Sequence, residues 1–345
     1  MWQLSSINEI WIELTGHCNA KCPQCGRFDI FGKVLKDLQI QNLSLEIIKK
    51  LPLEKMVSLE TIRFNGNYGE PLMHPNIDEI LERFKDKKIH ISTNGSIRNI
   101  EWWKKLANLK NLKVIFAIDG LANTHHLYRR STDFNKILQN AKAFINNGGQ
   151  AEWQYIIFKH NENQIDDAKT LAKSIGFKKI FFQYSDRFLK NDKFNVYDEK
   201  EELLYILEPA QKQKTIHKHS ESKENIFYTK NLFKIKNIGK EISCPWAKNK
   251  KIFISHTGLV LPCCHMANIQ AGKPIYKKLY EKIIESYEYI NLYNYSFDEI
   301  INSKIFQTQI PESIKSKPHP NCIEHCSPIL SKNKIRVVED KNLNI

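Results

Sequence analysis

The chain has 345 residues, 41% of them hydrophobic and 26% charged, and a formal charge of +14. That is enough for two domains or one large α/β domain with an ordinary core. No apolar run reaches membrane-spanning length, and residues 1–10 lack a basic stretch followed by an apolar one, so a cytoplasmic protein without a membrane partner is expected.

The first strand is predicted over residues 10–14. It runs into Thr15-Gly16-His17-Cys18-Asn19-Ala20-Lys21-Cys22-Pro23-Gln24-Cys25. Three thiolates on one short loop can hold three irons of a cubane cluster and leave the fourth iron open to a substrate or cosubstrate. Zinc sites usually pair two close ligands with two distant ones, which this spacing fits poorly.

Further β-branched and aromatic runs at 62–64, 89–92, 114–118, 153–158 and 180–182 read as strands covered on both faces. Helical stripes lie between them. Phe134, Ile137, Leu138, Ala141, Phe144 and Ile145 form one, stopped by Asn147-Gly148-Gly149. Ile165, Ala168, Leu171, Ala172 and Ile175 form another, closed by Gly176. Six strand–helix units in a row predict a parallel α/β sheet, open or curled into a partial barrel. Turn-forming caps follow several strands: Asn65 to Leu72, Ser92-Thr93-Asn94-Gly95, and Ala117-Ile118-Asp119-Gly120.

The pattern weakens after residue 186. Residues 187–241 are rich in Lys, Asn and Glu and read as a connecting segment, helical around 201–207. Residues 242–330 hold the other five cysteines, and 331–345 form a polar tail. The basic charge invites a nucleic-acid partner, but the lysines are spread along the chain rather than clustered with aromatics, which argues against a dedicated surface.

The Cys18-x-x-x-Cys22-x-x-Cys25 loop after a first strand, with Thr15 and Asn19 beside it, resembles the signature of the radical S-adenosylmethionine (radical SAM) superfamily. Gln24 stands where that family often carries an aromatic residue against the adenine. The resemblance implies a partial (β/α)6 TIM-like barrel over residues 1–186, with a 4Fe–4S cluster on the three cysteines and SAM on its open iron. Gly69, Glu70 and Pro71 are similar to the family's Gly-Gly-Glu segment, which receives the SAM ammonium. Ser92, Thr93, Asn94 and Asp119 look like its ribose-side contacts, and Arg129 or Arg130 like its arginine near the ribose or carboxylate. The segment from Gly258 to Cys264 resembles the SPASM and twitch auxiliary-cluster domains. This implies a second 4Fe–4S cluster on Cys244, Cys263, Cys322 and Cys326, with Cys264 as the alternate ligand; a structural zinc on the same residues is the other reading.

The implied activity is reductive cleavage of SAM to a 5′-deoxyadenosyl radical. That radical takes hydrogen from a peptide or small-molecule substrate, with electrons from a reductant such as flavodoxin or ferredoxin. Asp119 is the candidate catalytic residue, and Gln154, His160, Gln183, Tyr184 and Asp186 are candidate substrate-facing residues. Two rivals stand beside this reading: a radical SAM enzyme acting on RNA or a nucleotide, and a non-enzymatic zinc-binding protein.

Overall fold

The structure, a computed structural model, describes residues 2–185, 187, 188, 193–211, 242–271, 287–315, 322, 325 and 326. The described residues fall into two compact units. One holds 13–42 and 61–211; the other holds 2–12, 43–60 and the residues beyond 241. β1 (Glu9–Ile12) and α1 (Leu45–Lys49) belong to the latter.

The first unit is an α/β sheet. β2 (Thr61–Phe64), β3 (Lys88–Thr93), β4 (Leu112–Ala117), β5 (Gln150–Ile157) and β6 (Lys179–Tyr184) lie side by side in chain order, every neighbouring pair parallel. Parallel neighbours need long crossovers. These contain α2 (Ile77–Arg83), α3 (Ile100–Leu106), α4 (His125–Tyr128) with α5 (Phe134–Asn146), and α6 (Ile165–Ile175). Burial alternates along β4 and β5, with Leu112, Val114 and Phe116, then Ala151, Trp153, Tyr155 and Ile157, fully enclosed. Trp103 of α3 packs between the sheet and α5, its ring 5.1 Å from Phe116 and 6.0 Å from Phe144 of α5.

The helix limits follow local chemistry. The Asp133 side chain accepts from Lys136 N–H at 3.1 Å and caps α5. Gly176 ends α6 at φ 95°, a left-handed conformation that costs glycine little, and its N–H returns to the Ala172 carbonyl.

The expectation of a helix around 201–207 is corrected. β7 (Phe194–Tyr197) and β8 (Leu203–Leu207) form an antiparallel hairpin. Its turn is set by Asp198, whose Oδ1 accepts from Lys200 N–H at 2.8 Å and Glu202 N–H at 2.9 Å. The short Leu-Leu-Tyr-Ile-Leu run has too few residues for periodicity to separate strand from helix. Val196 and Leu207 of the hairpin pack with Ala20, Cys22, Tyr128 and Phe158, so the hairpin covers the cysteine loop.

In the second unit β1 pairs in parallel with β9 (Lys251–Ile254), and β10 (Val260–Leu261) pairs antiparallel to β9. α7 (Pro245–Lys248) starts on Cys244; α8 (Phe297–Asn302) and α9 (Ile310–Lys315) follow. Trp2 donates its indole N–H to the Lys251 carbonyl at 3.0 Å and meets Phe306 edge-on. Trp11 packs on Trp246 at 4.7 Å. Among the described residues, no helix is long and apolar enough to cross a membrane.

Candidate functional site

Chain crowding fixes the cysteine loop. A Cβ on Gly69 would sit 1.7 Å from the Thr15 carbonyl oxygen, so only glycine lets the segment after β2 lie against the segment after β1. Glu70 N–H donates to the His17 carbonyl at 2.7 Å across this contact. Glu13, fully buried, accepts from Tyr68 N–H at 2.6 Å. Thr15 Oγ1 receives His17 N–H and bonds Asn42. The hydrogen bond from Lys21 N–H to the Arg130 carbonyl (2.9 Å) ties the loop to the segment after α4.

Glu70 is buried. Its carboxylate accepts from Thr93 Oγ1 at 2.6 Å, Asn94 N–H at 2.7 Å and Leu72 N–H at 3.2 Å. It therefore joins the Pro71 turn to the carboxyl end of β3. Burial pushes Glu70 up; these three donors oppose it. Asn94 donates from Nδ2 to Asn19 Oδ1 at 2.9 Å and lies 4.0 Å from Cys18 Sγ. Asn19 in turn donates to Ser96. Ser92, half-buried in register with Ile115, is the strand residue before Thr93, so its side chain leaves the opposite face and does not join this network.

Asp119 follows β4 and is fully buried. Its Oδ2 accepts from Arg129 Nε at 2.6 Å and its Oδ1 from Ile156 N–H at 2.6 Å. Burial pushes Asp119 up, opposed first by Arg129; with the guanidinium bonded directly to it, the pair is ionised. Arg129 Nη1 lies 3.8 Å from Cys22 Sγ. Arg130 instead donates to the Tyr197 carbonyl at 3.2 Å. The two adjacent arginines thus separate: Arg129 faces the cysteines, Arg130 the hairpin.

The thiols suit a cationic iron–sulfur core. Burial pushes Cys18 up to about 12, with Glu70 adding to the shift, and burial raises Cys22 against the pull of Arg129. Thiolates in such surroundings need positive charge, which an iron–sulfur core supplies. Among the described residues, no three Cys, His, Asp or Glu side chains meet tightly enough to share one metal ion. A cubane does not ask that, because each thiolate binds its own iron.

Gln24 is buried. Its Oε1 accepts from Ser185 Oγ at 2.7 Å and its carbonyl from Arg187 Nη1 at 2.6 Å, while its Nε2 has no partner. Gln154 lies on β5 opposite Ala117. His160 stacks on Phe158 at 5.3 Å. Gln183 and Tyr184 close β6, and Tyr184 is nearly buried. Asp186 lies outside the described residues.

In the second unit Cys244, Cys263, Cys322 and Cys326 line one cavity of about 210 Å³ with Leu261, Met266, Ile305 and Ile310; Cys264 is not part of its lining. The Cys326 thiol donates a hydrogen bond to Cys244, which pulls Cys244 down to about 6 and holds Cys326 up. Four thiols around one apolar cavity fit a compact cluster with four cysteine ligands.

Glu13, Ser96, Ser185 and Arg187 had no signal in the sequence, because each acts through a partner distant in the chain.

Comparison with known proteins gives the same organisation. The model of the radical SAM superfamily matches residues 12–175, and that of the iron–sulfur cluster-binding domain SPASM matches residues 244–327. The tungsten-containing aldehyde ferredoxin oxidoreductase cofactor-modifying protein of Pyrococcus furiosus is 28% identical over 131 residues, 34% of this chain and 32% of that protein. The Fe-coproporphyrin III synthase of Methanosarcina barkeri is 27% identical over 214 residues, 59% and 51% of the two chains. The matches thus span about a third to a half of these curated relatives.

Among solved structures, anSMEcpe with bound S-adenosylmethionine superposes at TM-score 0.55 with 17% identity, covering 92% of this chain and 89% of that one. The same protein with S-adenosylmethionine and the Cp18Cys peptide gives 0.51, at 17% identity and 92% and 88% coverage. SuiB of Streptococcus suis bound to S-adenosylmethionine gives 0.50, at 16% identity and 80% and 68% coverage. At such identity these likenesses show the fold.

Proposed function

We propose, from the premise that this chain belongs to the radical SAM superfamily and carries a C-terminal iron–sulfur cluster-binding domain, that it removes a hydrogen atom from a peptide or small-molecule substrate. The observation that carries the reading is the three-cysteine loop held between the Glu70–Thr93–Asn94 network and the Asp119–Arg129 pair. When bound, the cluster and S-adenosylmethionine supply the 5′-deoxyadenosyl radical that takes the hydrogen.

The chain's own residues hold, orient and exclude. Cys18, Cys22 and Cys25 would hold three irons of the first cluster. Gly69, by its close packing on Thr15, and Glu70, through Thr93 and Asn94, would fix the backbone that receives the cosubstrate. Asp119 keeps Arg129 pointed at the loop, where a guanidinium can meet a carboxylate or ribose oxygen. Its role is that of a positioning residue, since both of its oxygens are engaged. Tyr128, Phe158 and the β7–β8 hairpin keep water from the loop. Cys244, Cys263, Cys322 and Cys326 would hold an auxiliary cluster.

The electron comes from a one-electron carrier such as flavodoxin or ferredoxin. A peptide substrate is supported by the Cp18Cys peptide bound to anSMEcpe, and a small molecule by the name of the coproporphyrin synthase.

The test is iron, sulfide and zinc per chain after anaerobic purification, in wild type and in Cys18/Cys22/Cys25→Ala, with 5′-deoxyadenosine formation read in parallel. About eight irons falling to about four, with loss of 5′-deoxyadenosine, is expected. Zinc alone in both proteins after reconstitution with iron and sulfide would sink the reading.

A further inference from the structure

Arg27 sits two residues past Cys25 and is 6% exposed. Its Nη1 donates to the Cys18 carbonyl at 3.2 Å, and its guanidinium lies 5.6 Å from the Phe28 ring centroid. Its Nε is buried without a partner. Among the described residues, no carboxylate pairs with it. The contrast is Arg129, bonded to its own carboxylate, Asp119. Glu70, the buried carboxylate whose charge reaches Cys18, is held by Thr93, Asn94 and Leu72 and not by Arg27.

Buried charges are paired or bind an ion, because an uncompensated one is among the costliest burials. Among the described residues none supplies a counter-anion for Arg27. The loop it sits on is built for one: three thiolates outweigh the charge of the core they bind, so the assembly is an anion, and one added electron makes it more so.

We infer that Arg27 is the counter-charge of the cluster held by Cys18, Cys22 and Cys25, and that it raises the reduction potential of that cluster. The inference rests on the proposed reading of the loop as a cluster site. A fixed cation attracts the reduced form more than the oxidised one. At an effective dielectric of about 20, a unit charge within about 10 Å changes the ratio of reduced to oxidised cluster by on the order of tenfold, about 59 mV for one electron. Arg129 gives less, because Asp119 cancels most of its field.

The experiment is a redox titration followed by electron paramagnetic resonance. It uses the full chain reconstituted anaerobically, as wild type, Arg27→Met and Arg27→Lys, and follows the signal that changes when S-adenosylmethionine is added. Arg27→Met is expected to lower the ratio of reduced to oxidised cluster at a fixed potential by about tenfold, and Arg27→Lys to stay near wild type. An unchanged midpoint in Arg27→Met overturns the inference.

Should Arg27→Met fail to load iron, melting of the cluster-free proteins decides. Without the anion the charge is a burden, so Arg27→Met should melt no lower than wild type. A clearly lower melt means that Arg27 is only an anchor for the Cys18 carbonyl, and the inference fails. If wild type itself places no iron on the loop, it is the cluster reading that has failed.

Discussion

Replacing Asp119 by Ala strands the guanidinium that faces the cysteine loop. The carboxylate is fully buried and accepts from Arg129 Nε at 2.6 Å and from Ile156 N–H at 2.6 Å. Removing one partner of a buried pair costs about 3–5 kcal/mol, and an orphaned N–H about 1–3 kcal/mol. The Arg129 side chain is 16% exposed and can partly reach water, so the lower end applies and the sum is about 4 kcal/mol. For a unit of this size that is a fall in Tm of about 8–16 °C.

Arg129→Met should cost less, because burial already favours neutral Asp119 once the cation is gone. The double variant removes both charges and should be more stable than the sum of the single losses predicts, with a coupling of at least ~1 kcal/mol. Thermal unfolding of the cluster-free chain by circular dichroism measures all three. A loss below about 1 kcal/mol in Asp119→Ala, or strict additivity in the double variant, would refute the ion pair as the reason Asp119 is there.

Gly69→Ala should cost ~1–3 kcal/mol and abolish iron loading of the N-terminal loop, because the new Cβ meets the Thr15 carbonyl oxygen at 1.7 Å; Gly26→Ala, 3.6 Å from the Tyr68 ring, should load normally. Iron analysis of the two purified proteins checks this. In the second unit, Cys263→Ala should lose the auxiliary iron and Cys264→Ala should keep it, since only Cys263 lines the cavity with Cys244, Cys322 and Cys326; equal loss in both would assign the ligand differently.

Acid should weaken the cluster-free fold through His125, whose pKa burial, aided by Arg129, lowers from 6.5 to about 3. Between those values the unfolded chain binds the extra proton, so stability falls as pH falls, by ~2 kcal/mol from pH 7 to pH 5. His125→Gln should flatten that slope in urea unfolding, and an unaltered slope would reject the assignment.

Much of this molecule is local and therefore legible in its sequence. The spacing of Cys18, Cys22 and Cys25, the stripe of α5 with its stop at Asn147 and Gly148, the close of α6 at Gly176, and the parallel strands β2 to β6 each follow from residues near one another in the chain. Spacing and periodicity act over a few residues, and there the sequence determines the outcome alone.

What the tertiary structure decided is of another kind. It gave Arg129 rather than Arg130 to Asp119, put Cys263 rather than Cys264 in the cavity, and set Thr93 but not Ser92 on Glu70. It turned residues 203–207 into a strand, paired β1 with β9, and buried Arg27 beside Cys18 with no carboxylate partner among the described residues. The first three of these choices are between near neighbours with the same local preference. The difference in free energy comes from a partner tens or hundreds of residues away, which enters only when the chain has folded back to it.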